Sequence, residues 1–232
     1  MSLPYFYISS FDKDQPELYL DEDNSRHIVQ VLRMGPGEDL HLTDGRGALL
    51  TATITTAHKK NCRVSIHTAA ALPPPERPVA IAISPLKNAS RFEWFLEKAT
   101  EIGVGEIIPL LTERTERQHL RADRFRHILV SAMLQSRQAW LPVLQPLTPI
   151  SGLLANNQSA RRLIAWMGEP QQAAYPAPDK TPTVILIGPE GDFTPEEAAS
   201  AMGNGYIPVT LGKNRLRTET AGIVAATLLC IG

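Results

Sequence analysis

The chain has 232 residues, of which 43% are hydrophobic and 20% charged, a balance typical of a globular protein with a real apolar core. Its formal net charge of −1 excludes overall basicity, so a nucleic-acid partner would have to be recognised by local clusters of cations. Two cysteines far apart in the sequence, and six histidines without metal-ligand spacing, argue against a disulfide framework and a metal site.

No run of about 18 apolar residues is present, and the opening sequence MSLPYFYISS lacks the basic and apolar regions of a signal peptide. We therefore expect a cytoplasmic protein that has no membrane partner and binds no metal.

The first 72 residues predict a small β-barrel. Aromatic and β-branched residues at 5–8, and the later stretches EDLHLTD, LLTATITTAH and CRVSIHTA, are typical of strands joined by glycine or polar turns. One short helix is expected to begin with Asn24 or Ser25 as its cap and to continue through HIVQVLR. Arg26 and Arg33 lie at the two ends of this helical stretch.

A proline-rich stretch, LPPPERP, divides the chain. Four of its seven residues are prolines, which do not fit a helix interior or a central strand. We predict a stiff linker at 73–78 that joins one domain at 1–72 to a second at 79–232.

The second domain alternates between strands and helices. Apolar stretches typical of buried strands are VAIAIS, EIIPLL, RLIAWM, TVILIG and YIPVTLG. Between them, ASRFEWFLEKATEIG is an amphipathic helix with a predicted capping box at Ser90 and Glu93, and a longer helix is expected from about Ala122 to Gln138. Another helix is expected to begin with Thr194 as its cap, a proline at the first position and Glu197 at the third. This alternation predicts a largely parallel α/β sheet.

Two glycine-containing loops follow strands of this domain. ILIGPEGDF runs from an apolar strand into a tight turn at 188–191, and YIPVTLG ends at Gly212. Open α/β sheets bind ligands at the carboxyl ends of their strands, so both loops could line one cleft. The alternative for ILIGPEGDF is an ordinary strand–turn–helix connection.

Cations are concentrated in two places. Lys213, Arg215 and Arg217 follow Gly212, and the stretch TERTERQHLRADRFR holds five arginines, with Arg137 farther along the chain. Guanidinium groups bind phosphate with two parallel hydrogen bonds, and a basic string beside a small barrel favours an RNA partner. The alternatives are a solvated cationic loop and a helix start with local ion pairs.

Several motifs occur in one order along nearly the whole chain: RHIVQVLRMGPGEDLHLTDGRG, LKNASRFEWFLEKATEIGV, PLLTERTE, QSRQAWLP, LIGPEGDF and LGKNRLRTETA. On these motifs the chain resembles the bacterial 16S ribosomal RNA uracil-1498 N3-methyltransferases, a family of the SPOUT class. The resemblance implies an α/β fold with a SPOUT-type trefoil-knotted parallel-sheet domain and an N-terminal PUA-like small β-barrel. It also implies S-adenosyl-L-methionine as methyl donor, 16S rRNA of the small ribosomal subunit as substrate, and a homodimer.

The resemblance assigns the residues that would hold the methyl donor, whereas the clusters of cations and the chemistry of the reaction suggest the other roles. The methyl donor would be held by Trp166, Met167, Ile187, Gly188, Pro189, Glu190, Gly191, Leu211, Gly212, Leu216, Thr218 and Thr220. RNA would be bound by Arg26, Arg33, Lys87, Arg114, Arg137, Lys213 and Arg215. Arg217 would stabilise the charge that develops on the uracil. Glu219 would accept the N3 proton or hold the arginine in place, unless it is only a first-turn carboxylate favoured by the helix dipole.

Five positions depart from the family pattern: Ser131, Leu134, Asp192, Asn214 and Arg215. Asp192 stands where a glycine is usual. Two other functions stay open, namely a non-catalytic RNA-binding or ribosome-assembly protein that kept the fold, and the same chemistry on another RNA such as tRNA.

Overall fold

The computed structural model describes residues 3–12, 15–168, 175 and 179–231. They form two compact units, one of Met1–Pro74 with Met133–Leu141 and one of Pro75–Ala132 with Pro142–Gly232. The functional domain bounds expected from the sequence stay a prediction, because compactness alone does not delimit a function.

The first unit is built on a five-stranded sheet with the order β1-β3-β4-β5-β2. The strands are β1 (Tyr5–Tyr7), β2 (Glu17–Tyr19), β3 (Asp39–Thr43), β4 (Ala48–Thr56) and β5 (Arg63–Ala71). β1 pairs with β3 in parallel, and all other pairs are antiparallel. Alternate residues of β4 face the core, and two irregularities in the β4–β5 register bend the sheet, as bulges do in small barrels.

The short helix of this unit, α1 (Glu22–Arg26), begins earlier than the sequence indicates. Its cap is Asp21, whose carboxylate accepts a hydrogen bond from the Asn24 N–H at 2.8 Å. The predicted cap residues are used elsewhere: the Asn24 amide donates to the Tyr7 carbonyl, and the buried Ser25 hydroxyl donates to Leu20. A π-helical segment, His27–Val31, follows α1.

The segment Met133–Leu141 packs within the first unit. The Gly47 N–H donates to the Ala139 carbonyl at 2.8 Å, and a Cβ at Gly47 would lie only 2.5 Å from the Trp140 ring. Gly47 also has a φ of +94°, which favours glycine. The turn at 45–47 therefore packs closely against this segment, a contact that the sequence pattern did not indicate.

The second unit contains a parallel sheet, as predicted. Its strands are β6 (Val79–Ile83), β7 (Glu106–Leu111), β8 (Val143–Leu144), β9 (Thr148–Pro149), β10 (Arg161–Ala165), β11 (Thr183–Ile187) and β12 (Ile207–Val209). The order is β12-β10-β11-β6-β7-β8, with β9 also paired to β7. Every residue of the neighbouring strands β6 and β11 is buried, because helices cover both faces of a parallel sheet.

The remaining helices are α2 (Ala89–Ile102), α3 (Ala122–Gln135), α4 (Ile150–Asn156), α5 (Pro195–Gly203) and α6 (Thr218–Cys230). The predicted capping box of α5 is present between Thr194 and Glu197. The predicted box at Ser90 is wrong, because Asn88 caps α2 by accepting from the Ser90 N–H at 2.9 Å. α6 packs against α2, β6 and β11. Over the described residues, helices long and apolar enough to cross a membrane are absent.

Candidate functional site

A cavity of about 350 Å³ lies in the second unit, where β10, β11 and β12 end. Trp166 and Met167 come directly after β10, the turn Gly188–Glu190 follows β11, and Thr210–Gly212 follows β12. These strands are neighbours in the sheet and run in parallel, so their carboxyl ends meet at one edge. That edge is where open α/β sheets bind ligands.

The opposite wall of the cavity is the loop before α6 and the first turn of that helix. It contributes Asn214, Arg215, Leu216, Arg217, Thr218 and Ala221. Arg217 is the N-cap of α6, and its side chain forms no capping hydrogen bond. The first N–H groups of an α-helix have no intrahelical acceptor, so this helix start presents donors and partial positive charge beside the cavity.

The cavity brings together most of the residues predicted to hold a methyl donor. Of those twelve residues, ten line it: Trp166, Met167, Ile187, Gly188, Pro189, Glu190, Leu211, Gly212, Leu216 and Thr218. Gly191 lies in the adjoining turn, and Thr220 is exposed in the first turn of α6. Whether these residues hold a cofactor stays a prediction.

Several lining residues were not predicted, among them Ala165, Val209, Thr210, Asn214 and Ala221. Ala165 and Val209 end β10 and β12, and the Thr210 hydroxyl closes the β12 turn by donating to the Gly212 carbonyl at 2.8 Å. The signal that would have identified these residues is their position at strand ends, because their residue types are unremarkable.

Asp192 closes the turn after β11 and also lines the cavity. Its φ is +63°, a left-handed conformation that few residues other than glycine, asparagine and aspartate adopt. Its N–H donates to the Pro189 carbonyl, and its Oδ1 accepts from the Phe193 N–H at 2.8 Å. Burial raises the pKa of this carboxyl, and the Phe193 N–H, Arg215 and Arg114 offset part of that rise.

Two arginines hold the main chain of the same turn. Arg114, which follows β7, donates from Nη1 to the Gly191 carbonyl at 2.6 Å and to the Phe193 carbonyl at 3.3 Å. Arg215 donates from Nη2 to the Glu190 carbonyl at 3.4 Å. The cations predicted from the sequence to meet RNA thus also shape the wall of the cavity.

The predicted catalytic pair is separated. Arg217 lines the cavity, whereas Glu219 is 7% exposed and is not among the lining residues. Its Oε1 lies 3.6 Å from Nε of Arg91 on α2, and its Oε2 has no hydrogen-bond partner in the described part of the chain. Glu219 therefore faces α2 from the start of α6.

The other predicted RNA contacts are distributed over both units. In the first unit, Arg26 is paired with Glu22 on exposed α1, and Arg33 and Arg137 both adopt left-handed backbone with a φ of +56°. In the second unit, Nζ of Lys87 lies 2.9 Å from the Glu116 carboxylate, and Lys213 is exposed in the loop before α6. Each is exposed at the surface of its own unit, and Arg114 is in addition tied to the turn after β11.

Groups of three or more His, Cys, Asp or Glu side chains able to hold a metal ion do not occur among the described residues. The cavity itself is lined by apolar side chains, main-chain groups and charged side chains that include Asp192, Arg215 and Arg217.

Comparison with known proteins agrees with this picture. Residues 73–230 match the model of the RNA methyltransferase domain family, and residues 20–66 match that of the RNA methyltransferase PUA domain. The ribosomal RNA small subunit methyltransferase E of Synechocystis sp. is 31% identical over 207 residues, which cover 86% of this chain and 68% of that protein. The match at 20–66 confirms the PUA-like character of the N-terminal sheet.

Two solved structures are similar over nearly their whole length. A probable rRNA-methyltransferase from Porphyromonas gingivalis superposes with a TM-score of 0.89 at 44% identity, and covers 97% of this chain and 96% of its own. A ribosomal RNA small subunit methyltransferase E from Neisseria gonorrhoeae, bound to S-adenosyl methionine, has a TM-score of 0.86 at 29% identity with the same coverage.

Proposed function

The chain belongs to the ribosomal RNA small subunit methyltransferase E family, and on that premise we propose that it methylates N3 of a specific uridine in 16S rRNA with S-adenosyl-L-methionine as donor. The observation that carries the proposal is the cavity at the ends of β10, β11 and β12, which contains most residues expected at the donor site. A similar protein binds this donor in its solved structure.

The walls of the cavity fit such a donor. Apolar side chains of Ala165, Ile187 and Leu216 suit an adenine ring, and the glycine at 188 leaves main chain exposed to the ligand. A Cβ at Gly188 would lie 3.2 Å from both Asp192 Oδ1 and the Phe193 ring, so a larger residue would crowd this turn. The uncapped start of α6 offers N–H donors to the donor's carboxylate.

The methyl group of this donor is carried on a sulfonium sulfur and needs a nucleophile in line behind it. Uracil N3 carries a proton at neutral pH, so the protein must remove that proton and stabilise the charge that spreads to O2 and O4. Arg217 lines the cavity and is the cation we assign to this stabilisation. The target base must also leave the RNA stack to reach the cavity.

The geometry favours a role for Glu219 in positioning the start of α6 over a role in accepting the N3 proton. Its side chain is buried outside the cavity lining and lies close to Arg91, which balances its charge. A carboxylate in the first turn is also favoured by the helix dipole. We assign to Glu219 the role of fixing the start of α6, and thereby Arg217, against α2.

We assign RNA binding to the cations of each unit. Arg215, Lys213, Arg114 and Lys87 belong to the unit that holds the cavity. Arg26, Arg33 and Arg137 belong to the unit with the PUA-like sheet. Lysine and arginine contacts to phosphate supply most of the affinity and position the RNA without reading its sequence.

The homodimer and the trefoil knot are part of the same proposal. Val224, Leu228 and Ile231 lie on one face of the α6 end at spacings of four and three, and Leu228 and Ile231 remain 37% and 64% exposed. A second copy that covers this face would explain why these apolar side chains are exposed in a single chain. Because α6 returns to pack on the central strands β6 and β11, the topology suits a threaded C-terminus. An rRNA substrate implies a cytoplasmic location.

The test uses small ribosomal subunits from a deletion strain that lacks this protein. Purified wild-type protein should restore N3-methyluridine, measured by mass spectrometry of digested 16S rRNA. Arg217→Ala should reduce the rate of transfer by about 100-fold or more, as loss of one charge-stabilising donor does, and should leave S-adenosylmethionine binding in calorimetry nearly unchanged.

Other outcomes point to other functions. A wild-type protein that binds RNA but shows no calorimetric binding of S-adenosylmethionine would be a non-catalytic RNA-binding or assembly protein. Transfer to tRNA but not to 16S rRNA would keep the chemistry and replace the substrate.

A further inference from the structure

One carboxylate stands out in the cavity wall. Asp192 is half-buried, and the arginines that surround it hold the main chain on both sides: Arg114 contacts the carbonyls of Gly191 and Phe193, and Arg215 that of Glu190. The proposed reaction needs a base for the N3 proton, and Glu219 does not line the cavity. We propose that Asp192 accepts the N3 proton of the target uracil, an inference that rests on the proposed function.

The geometry of Asp192 fixes one oxygen and leaves the other available. Oδ1 accepts from the Phe193 N–H, whereas Oδ2 accepts no hydrogen bond from the described residues. An ionised carboxylate has about four lone-pair sites on its two oxygens, so most of its capacity stays free for a ligand. The left-handed backbone at φ +63° holds this side chain in the turn.

The charges around Asp192 suit a base. Burial raises the pKa of its carboxyl, which strengthens the carboxylate as a proton acceptor. Arg114 from the segment after β7 and Arg215 from the loop before α6 act in the opposite direction and offset part of this rise in pKa. Arg217 lines the same cavity, and Glu190 on the same turn is exposed.

Glu190 is the other carboxylate among the described lining residues. Glu190 is exposed to solvent, whereas Asp192 is half-buried. Asp192 is the more shielded of the two. Arg114 and Arg215 also act electrostatically on the Asp192 carboxyl.

The proposed reaction moves a proton from N3 to Asp192 and a methyl group from sulfur to N3. The N3 proton moves to Oδ2 of Asp192, and the electron pair left on N3 forms the bond to the methyl carbon. The bond between methyl carbon and sulfur breaks, and its electron pair stays on sulfur, which becomes neutral. Asp192 releases the proton to water after the methylated base leaves. Arg215 and Arg217 offset the negative charge on the uracil oxygens during the transfer.

The experiment compares three variants in single-turnover methyl transfer to small subunits from the deletion strain. Asp192→Asn keeps the acceptor for the Phe193 N–H and tolerates the left-handed backbone, so it removes little more than the base. Glycine also adopts the left-handed conformation, so Asp192→Gly is a second variant that should fold as the wild type does. Glu196→Gln, an exposed carboxylate in the first turn of α5, is the matched control for loss of one negative charge.

We expect both Asp192 variants to transfer methyl about 10²–10⁴-fold more slowly at pH 7, the usual worth of a positioned base. S-adenosylmethionine affinity in calorimetry should stay within about threefold, and Glu196→Gln should match wild type. The deficit should shrink as pH rises toward 9, because N3 then loses its proton to water without a protein base. A residue with a purely structural role would not produce this pH dependence.

Three results would overturn the inference. Wild-type rates in either Asp192 variant would remove Asp192 from proton transfer while leaving the proposed function intact. A loss of donor affinity that matches the loss of rate would make Asp192 a donor-binding residue instead. Wild-type protein without any transfer to 16S rRNA would contradict the proposed function itself, and the proton-transfer role with it.

Discussion

Two carboxylates of the second unit have pKa values that shift in opposite directions. Burial raises the pKa of Asp192, so the folded state disfavours its charged form. Its contribution to stability is therefore present at acid pH and is lost as pH rises through the raised pKa. The Asp192 carboxylate next to the cavity therefore lowers the stability of the folded state at neutral pH. Groups with such shifted pKa values are common at functional sites.

Asp179 shows the opposite case. Nη2 of Arg161 donates to its Oδ2 at 2.6 Å, Nη1 donates to Oδ1 at 3.1 Å, and the Thr181 N–H donates to Oδ1 at 2.8 Å. These bonds lower the pKa of Asp179 to about 2. Because the carboxylate is the favoured form in the folded state, the stabilising contribution is complete above its unfolded pKa of about 4 and is lost as pH falls toward 2.

We predict that Asp179→Asn lowers the melting temperature by about 1–3 °C at pH 7 and at pH 5, the range expected for one partly exposed pair in a domain of this size. At pH 3 the difference should shrink, because the unfolded carboxyl is then protonated. Thermal unfolding followed by circular dichroism at the three pH values measures this.

The nearby pair of Lys180 and Glu76 is the control for that experiment. Its side chains are 73% and 78% exposed, with Nζ and Oε2 at 3.1 Å. Glu76→Gln should change the melting temperature by less than about 1 °C at every pH. Equal effects of the two substitutions would mean that Arg161 does not stabilise the folded state through Asp179.

At the scale of elements, the sequence predicted the order of strands and helices well, because buried parallel strands such as β6 and β11 are short, continuous apolar runs. Caps were predicted where the signal is local, as at Thr194. They were wrong at Ser90 and at Asn24, where a residue outside the expected position supplies the acceptor. A local pattern does not distinguish polar residues two to four positions apart, because each of them is able to cap a helix start.

The cavity was also predicted only in part from the sequence. Its glycine turns were predicted because each follows a strand, and parallel strands end at one edge. The burial of Glu219 against Arg91 was not predictable, because it depends on a contact between residues distant in the sequence. The packing of Met133–Leu141 against the turn at 45–47 was missed for the same reason.

The close approach of α6 to α2 and β6 gives a prediction at this scale. A Cβ at Gly222 would lie 2.6 Å from Cε2 of Phe95 and 2.9 Å from Cδ1 of Ile83. Both neighbours are fully buried and have no free space to move into. Gly222→Ala should lower the free energy of unfolding by about 1–3 kcal/mol, since overpacking outweighs the gain in helix propensity. Urea unfolding measures it.

Gly152 in α4 is the matched control, because a Cβ there would have no neighbour within 4 Å among the described residues. Gly152→Ala should raise the free energy of unfolding by about 0.5–1 kcal/mol through helix propensity alone. We expect only Gly152→Ala to be stabilising. If Gly222→Ala also stabilised the protein, α6 would not be packed closely against Phe95 and Ile83. The first turn of α6 lines the cavity, so the destabilised variant should also bind S-adenosylmethionine more weakly.

At the scale of the whole molecule, the parts of the proposed site come from distant regions of the sequence. The cavity uses strand ends from β10 to β12 and a helix start near the end of the chain, while proposed RNA contacts lie in both units. Exposed cations on each unit suit an RNA substrate, because contacts to phosphate bind a nucleic acid without reading its sequence.

The proposed homodimer gives the last prediction. Leu228 and Ile231 are exposed on the face of α6 that we assign to a second copy. The double substitution Leu228→Asp with Ile231→Asp would place two unpaired carboxylates in that interface, and their desolvation would cost several kcal/mol. We expect wild-type protein to have the mass of a dimer in size-exclusion chromatography with light scattering at micromolar concentration, and the variant that of a monomer. Val143→Asp is the control. Val143 is 55% exposed on the edge strand β8, whereas α6 packs on the central strands β6 and β11, so this substitution should leave the dimer intact. A monomeric wild type, or a variant that stays dimeric, would show that this face is not the interface, and the exposed apolar end of α6 would then need a different occupant.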